Sequence, residues 1–328
     1  MENNKIRIAI VGYGNLGKGV ESQINKNEDM ELVCIFTRRK PESLKINSNT
    51  PVVSVEEAEE WKDKIDVAIL CGGSATDLPE QGPRFAKIFN TVCSFDTHAK
   101  AFDYYKSMDI AAKESGKIAM TSIGWDPGLF SSMRLLINSI LPTANLYTFW
   151  GTGVSQGHSD AIRRIDGVED ARQYTIPIEE SIQKVRNGEV PQFTKRQMHK
   201  RLCYVVAKDG ADKARIEKEI INMPDYFDEY DTKVEFISKE ELLKNHAKLS
   251  HGGTVIGAGE TTKGTKQVVE FILDLDSNPE FTSSVLIAYA RATYRMCKEG
   301  QKGYRNFSDV APKYLSKLSY EEIIKKIL

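Results

Sequence analysis

Gly12-Tyr13-Gly14-Asn15-Leu16-Gly17 follows an apolar run, Ile6-Arg7-Ile8-Ala9-Ile10-Val11, and opens into a helix-compatible stretch over 15–24. The spacing is G-x-G-x-x-G in the context that gives it meaning, a strand before and a helix after. The first glycine permits a tight turn, the second lets backbone N–H groups approach a pyrophosphate, and the third lets helix and strand pack closely. The phosphates would sit at a helix N-terminus, where free N–H groups and the dipole favour an anion. Residues 12–17 are therefore expected to hold a dinucleotide; the alternative is a glycine-rich βα turn with no ligand.

The end of the next strand, 31–36, indicates which dinucleotide. Thr37-Arg38-Arg39-Lys40 follows it. A site for NAD usually carries an Asp or Glu there for the ribose 2′-hydroxyl. Here a hydroxyl and two guanidiniums stand in its place, and guanidinium pairs bidentately with phosphate. Thr37, Arg38 and Arg39 thus suit the 2′-phosphate of NADP. Cys71-Gly72-Gly73-Ser74-Ala75-Thr76-Asp77 leaves a further buried strand, and its small residues permit backbone approach to the same cofactor. An ordinary loop with Asp77 capping the next helix fits that segment equally well.

With 328 residues the chain is long enough for two domains. A formal net charge of -1 argues against a nucleic-acid partner, which calls for a basic face. No apolar run approaches the roughly 18 residues that span a bilayer. Residues 1–5 lead straight into the first strand without a signal-peptide pattern. The odd set of Cys34, Cys71, Cys93, Cys203 and Cys297 contains no C-x-x-C. It points to a reducing compartment, the cytoplasm, and to no structural metal.

Strand and helix signals alternate up to residue 122, which implies a parallel sheet with right-handed crossovers. Strands are expected at 50–55, 66–71, 91–96 and 117–122, and helices at 79–89 and 101–115. After a helix at 129–141 the pattern turns to extended runs: 147–154, 174–178, 202–208, 233–237, 254–259 and 267–275. Few helices separate them, so a second, α+β domain with one open, partly antiparallel sheet is expected. The predicted division is an α/β, Rossmann-like dinucleotide-binding domain at 1–124 and a substrate and dimerisation domain at 125–276. Terminal helices at 280–300 and 320–328, within the segment 277–328, would pack back on the first domain.

Ligands of open parallel sheets bind beyond the carboxyl ends of the strands. Asp96 and Asp126 follow two such ends and could converge near the nicotinamide, or serve only as helix caps. The segment 150–160 alternates glycines with polar and aromatic groups, which suits carboxylate recognition or a plain hairpin. Lys195 to Arg201 is a basic run, and an Arg at a strand mouth can clamp a carboxylate. His251 lies in a tight turn, where a lone His is more often structural. These segments alone indicate a small, polar, anionic substrate.

The chain resembles the NADP-dependent diaminopimelate dehydrogenases over nearly its whole length. The resemblance is carried by IVGYGNLG at 10–17, FTRR at 36–39, CGGSATDLPEQ at 71–81 and GWDPG at 124–128. Further along it is carried by FWGTGVSQGHSDAIRRI at 149–165, QYTIP at 173–177, MHKR at 198–201, MPDYF at 223–227, HGG at 251–253 and DSNPEFT at 276–282. Met198, Lys248 and Ser250 depart from the family's segments. The resemblance implies a substrate site of Asp96, Trp125, Asp126, Trp150, Gln156 and Gly157, with Thr175, Arg201, His251 and Asn278 on the distal L-amino-acid end. It implies a homodimer, meso-diaminopimelate as substrate, and Asp126, Asp96 or His158 for proton transfer at the reacting amine. Other two-domain Rossmann reductases of the aspartate pathway lack these second-domain segments. A non-catalytic NADP(H) sensor would have no use for Asp126, Arg201 and His251.

Overall fold

The structure, a computed structural model, describes residues 5–328. Residues 1–4, where the expectation about a signal peptide falls, lie outside it. The chain forms two compact units, Met1–Ser132 with Pro279–Leu328, and Met133–Asn278. The sequence put the divisions at 124 and 276. They fall later because the helices Leu129–Ile140 and Asn278–Lys298 each begin at a unit border and carry across it.

The first unit is a parallel sheet of β1 (Ile6–Val11), β2 (Met30–Thr37), β3 (Val52–Ser54), β4 (Val67–Leu70), β5 (Asn90–Cys93) and β6 (Ile118–Met120). A seventh strand, Gly303–Arg305, pairs parallel with β6 at the edge, so the order reverses at β1 between β4 and β2. That three-residue strand has no apolar run to announce it in the sequence; sheet pairing alone defines it. β1 and β4 are almost wholly buried, which is why they read as unbroken apolar runs rather than alternating ones. One face is covered by α2 (Leu78–Ala86) and α3 (Ala101–Ser115). The other is covered by α1 (Asn15–Ile24) and the C-terminal helix Asn278–Lys298, through residues such as Val285, Leu286, Ile287 and Tyr289.

That helix is anchored by charge as well as by burial. Arg291, 3% exposed, bonds to Asp29 through Nε (2.6 Å) and Nη2 (2.9 Å), and to the Asn27 side chain (2.8 Å). Ser283 donates to the Leu16 carbonyl of α1 at 3.0 Å. A side chain on Gly19 would collide with Ser283, so the two helices touch backbone to side chain.

The second unit is the expected α+β domain with a mixed sheet, and it differs in one respect. Its strands make two sheets, not one. β9 (Val168–Pro177) and β10 (His199–Ala207) pair antiparallel, β11 (Asp231–Phe236) joins β10 parallel, and β8 (Gly153–Val154) joins β9. A separate antiparallel sheet holds β7 (Asn145–Trp150), β12 (His251–Thr262) and β13 (Thr265–Leu275). The single extended run expected at 147–154 breaks at Gly151, whose φ of 106° belongs to glycine and turns the chain from one sheet into the other. The strand-to-helix transition expected in the segment 150–160 is present, with a helix at Gln156–Arg163; the helices Glu179–Arg186, Lys213–Ile221 and Lys239–Asn245, each of 7 to 9 residues, are too short for a strong periodic signal.

Gly17 packs so closely under β1 that a Cβ there would drive into the Gly12 carbonyl. Gly17→Ala is therefore expected to cost about 1–3 kcal/mol through overpacking, read as a lowered midpoint in chemical denaturation.

Candidate active site

The fingerprint turn has the geometry its three glycines imply. Gly12 takes φ 91° and donates to the Phe36 carbonyl at 2.9 Å, which ties the turn to the end of β2. Gly14 is the N-cap of α1, with no side-chain cap and no acid in the first turn. A Cβ on Gly14 would meet no protein atom within 4 Å. The helix N-terminus is thus open on the side from which a pyrophosphate would come, and the residues present fit a dinucleotide.

The basic turn is arranged rather than merely solvated. Thr37 is 3% exposed, and its hydroxyl accepts from the Arg39 backbone N–H at 3.1 Å. The Arg39 guanidinium donates to the Tyr13 carbonyl at 3.0 Å. Arg38 makes an ion pair with Asp77 at 2.7 Å, its own side chain mostly exposed. Asp77 does not cap the following helix. Its other oxygen accepts from the Gly73 N–H at 3.0 Å, closing the loop after β4. In that loop the Ser74 hydroxyl accepts from the Asp96 backbone N–H at 3.2 Å. Residues 71–77 therefore connect the β2 turn to the loop that carries Asp96.

Asp96 and Asp126 follow the carboxyl ends of the neighbouring strands β5 and β6, at the same sheet edge. Asp96 is exposed, and Asp126 partly so. Asp126 sits in the turn Gly124-Trp125-Asp126-Pro127-Gly128, whose first and last residues bridge, with a cis bond before Pro127. A side chain on Gly128, at φ 125°, would run into the Gly124 backbone. Trp125 is 7% exposed and packs edge-on against Phe130 at 5.3 Å, so most of its indole fastens the turn.

In the second unit, register brings the remaining candidates together. Arg201 on β10 pairs with Thr175 on β9, and its guanidinium donates to the Thr175 hydroxyl. Gly153 on β8 pairs with Thr175 from the other side, and its Cα lies close against His251. Arg201 is 6% exposed and lies over the Tyr230 ring at 4.0 Å. Among the described residues no carboxylate pairs with it, and its Nε has no hydrogen-bond partner. The side-chain amide oxygen of the neighbouring Gln173 is likewise buried and unpartnered. Burial lowers the Arg201 pKa, and Tyr230 partly offsets that, but a guanidinium remains charged at any ordinary pH.

Trp150 ends β7. Its backbone N–H donates to His199 Nε2 at 2.9 Å, and its ring stacks on that imidazole at 5.4 Å. Gln156 and Gly157 open the helix that starts after Ser155, with Gly157 exposed and unobstructed. Asn278, at the end of the unit, donates its N–H to the Leu249 carbonyl at 2.9 Å. His251 is buried, its Nδ1 facing the Gly252 backbone.

His158 is enclosed and hydrogen-bonded. Its Nδ1 is engaged by the Ser155 hydroxyl at 2.7 Å, and its ring lies against Tyr226 and Phe227. Burial, then the charges of Arg201 and His251, push its pKa down to about 3. A group that resists protonation so strongly is a poor acceptor for an ammonium proton. Tyr230 and His199, which sequence reasoning missed, contact Arg201 and Trp150; Tyr230 lies in no motif, and His199, though inside MHKR at 198–201, shows its role only through the fold.

Residues 6–87 match the oxidoreductase family with an NAD-binding Rossmann fold, and residues 124–277 match the diaminopimelic acid dehydrogenase C-terminal domain. The fold and site are those of a nicotinamide-dependent oxidoreductase acting on a CH–NH2 donor. A meso-diaminopimelate D-dehydrogenase from Ureibacillus thermosphaericus is 58% identical over 325 residues, 99% of this chain and 100% of that one. Another from Corynebacterium glutamicum is 46% identical, covering 98% of each chain. The solved C. glutamicum DAP dehydrogenase in complex with DAP has a TM-score of 0.94 at 46% identity, covering 99% of this chain and 100% of that one. An engineered D-amino acid dehydrogenase bound to NADP+ has a TM-score of 0.89 at 44% identity, with the same coverage. The chain belongs to the meso-diaminopimelate D-dehydrogenase family.

Burial also lowers the His199 pKa to about 3, with Arg201 adding to the effect. Both histidines are neutral in the folded chain, whereas unfolded they protonate below about 6.5. The unfolded state therefore binds more protons between about 6.5 and 3, and stability falls as pH drops through that window. Each contributes up to about 1.4 kcal/mol per pH unit. Denaturation midpoints measured from pH 7 to 4 are expected to fall, and to fall less steeply in His158→Asn.

Proposed function

We propose that this chain catalyses the NADP-dependent, reversible oxidative deamination of the D-centre of meso-2,6-diaminopimelate. The products are L-2-amino-6-oxopimelate and ammonia, a reaction of lysine biosynthesis. The observation that carries the reading is the buried Arg201 guanidinium, with which no carboxylate pairs among the described residues. In a member of this family it calls for a carboxylate from the substrate. The solved relatives in complex with DAP and bound to NADP+ support the same reading.

In this reading Arg201, Thr175, His251 and Asn278 hold the distal L-amino-acid end, with Trp150, Gln156 and Gly157 along the substrate. Charge-assisted bonds of this kind are each worth roughly 1.5–3 kcal/mol. Several of them at one end decide which hydrogen of the other end faces the cofactor, and so select the D-centre of a molecule whose ends differ only in handedness. Asp96, Trp125 and Asp126 belong to the reacting end, where the two carboxylates attract the ammonium. That amine must lose a proton before its C–H bond breaks, because only a lone pair on nitrogen can form the C=N bond. Asp126 is the better acceptor for that proton, since His158 resists protonation. Bound NADP supplies the hydride acceptor. Water then adds to the C=N carbon and ammonia leaves, giving the ketone.

Residues 12–17, Thr37, Arg38, Arg39 and the loop 71–77 would hold the cofactor, with NADP chosen over NAD by the two guanidiniums. A homodimer formed by the second unit is part of the proposal. Leu136, Ile140 and Ile272 are each more than half exposed in that unit, an apolar surface suited to a second copy. The free thiols suit the cytoplasm, and among the described residues no helix is long and apolar enough to cross a membrane.

The test is NADPH formation, followed by absorbance, with meso-, L,L- and D,D-diaminopimelate in turn and NAD as parallel cofactor. Turnover is expected with the meso isomer and NADP. No turnover with any isomer would leave binding without catalysis and favour a sensor.

A further inference from the structure

Glu21, on α1, is a carboxylate only 4% exposed. Its Oε1 accepts from the Asn47 N–H (3.1 Å), the Ser48 N–H (2.9 Å) and the Ser48 hydroxyl (2.7 Å). Its Oε2 accepts from the Tyr13 hydroxyl and from Asn47 Nδ2 (3.4 Å). Burial pushes its pKa up, but the donors from Ser48, Tyr13 and Asn47 outweigh burial and hold it below the usual carboxylate range. A carboxylate so enclosed has no face left for a ligand. Its effect on function must pass through the groups it holds.

The chief of these is Tyr13, the second residue of the fingerprint turn, itself 5% exposed. Tyr13 is fixed at both ends. Its hydroxyl is on Glu21, and its carbonyl accepts from the Arg39 guanidinium at 3.0 Å. The Arg39 backbone is held in turn by Thr37. A continuous series of bonds therefore runs from Glu21 through Tyr13 to Arg39. The two guanidiniums of the basic turn differ in this respect. Arg38 is met by the Asp77 carboxylate, which offsets its charge. Arg39 is held by a neutral carbonyl, so its position is set while its charge remains available to an anion.

We infer that Glu21 is a positioning residue for cofactor choice: by fixing Tyr13 it fixes the Arg39 guanidinium where the 2′-phosphate of NADP is to be met. The inference rests on the NADP reading above. A purely structural role for Glu21 would disturb the turn that receives the pyrophosphate, which NADP and NAD share. A role through Arg39 affects only the cofactor with the extra phosphate.

The experiment measures KM for NADP and for NAD, and kcat, in the wild-type protein, Glu21→Gln and Tyr13→Phe, with thermal midpoints alongside. KM for NADP is expected to rise on the order of tenfold in Glu21→Gln, while KM for NAD moves less than about twofold. The kcat with saturating NADP stays near the wild-type value. Tyr13→Phe, which removes a single hydroxyl, shifts NADP in the same direction and serves alone if Glu21→Gln does not fold. An equal rise for both cofactors, or an unchanged KM for NADP in a folded variant, would overturn the inference. A wild-type protein with no preference for NADP would instead overturn the cofactor reading beneath it.

Discussion

Burying a guanidinium without a counter-ion costs several kcal/mol even after relaxation, and the second unit meets Arg201 only with the Thr175 hydroxyl and the face of Tyr230. The rest of that unit is arranged about this debt. β9 and β10 are in the register that puts Thr175 opposite Arg201. Gly151 and Gly153 lie so close to Thr175 and His251 that no side chain would fit, which draws β8 against the same point. Three imidazoles stand nearby, and two of them, His158 and His199, are pushed to about pKa 3 partly by the Arg201 charge. In the proposed reading that charge is met by a substrate carboxylate.

The first unit follows the same logic with weaker charges. An uncapped helix N-terminus at Gly14 and the guanidiniums of Arg38 and Arg39 offer positive potential to phosphates. Beyond the carboxyl ends of β4, β5 and β6 stand Asp77, which is paired with Arg38, and Asp96 and Asp126, which in the proposed reading meet an ammonium. In the proposed reading the guanidiniums of the basic turn meet phosphate, Arg201 on β10 meets a carboxylate, and Asp96 and Asp126, from loops after strands, meet an ammonium.

The first unit was largely legible because its signals are local. The fingerprint, the absence of an acid after β2 and the apolar runs of β1 and β4 each lie within a few residues. α3 was read to the residue, since its amphipathic run ends at Gly116 in the left-handed conformation. What escaped was set by pairing across sequence. Tyr230 reaches Arg201 through the parallel pairing of β11 with β10, Asp77 turns to Arg38 rather than to its own helix, and Gly303–Arg305 becomes a strand only beside β6. The division of the second unit into two sheets depends on one glycine, whose conformation no periodicity reveals. Motif resemblance picked out Thr175 and Arg201, while the reason they belong together, their register, appears only in the fold.

The most direct measurement is the affinity of Arg201→Met for meso-diaminopimelate and for NADP, taken with its denaturation midpoint. Binding of the diamino acid is expected to weaken by roughly ten- to a hundredfold, with NADP affinity unchanged. Stability should hold or rise, because an uncompensated buried charge is removed. Undiminished binding of meso-diaminopimelate, or a large loss of stability, would contradict the view that Arg201 is kept unpaired for a substrate carboxylate.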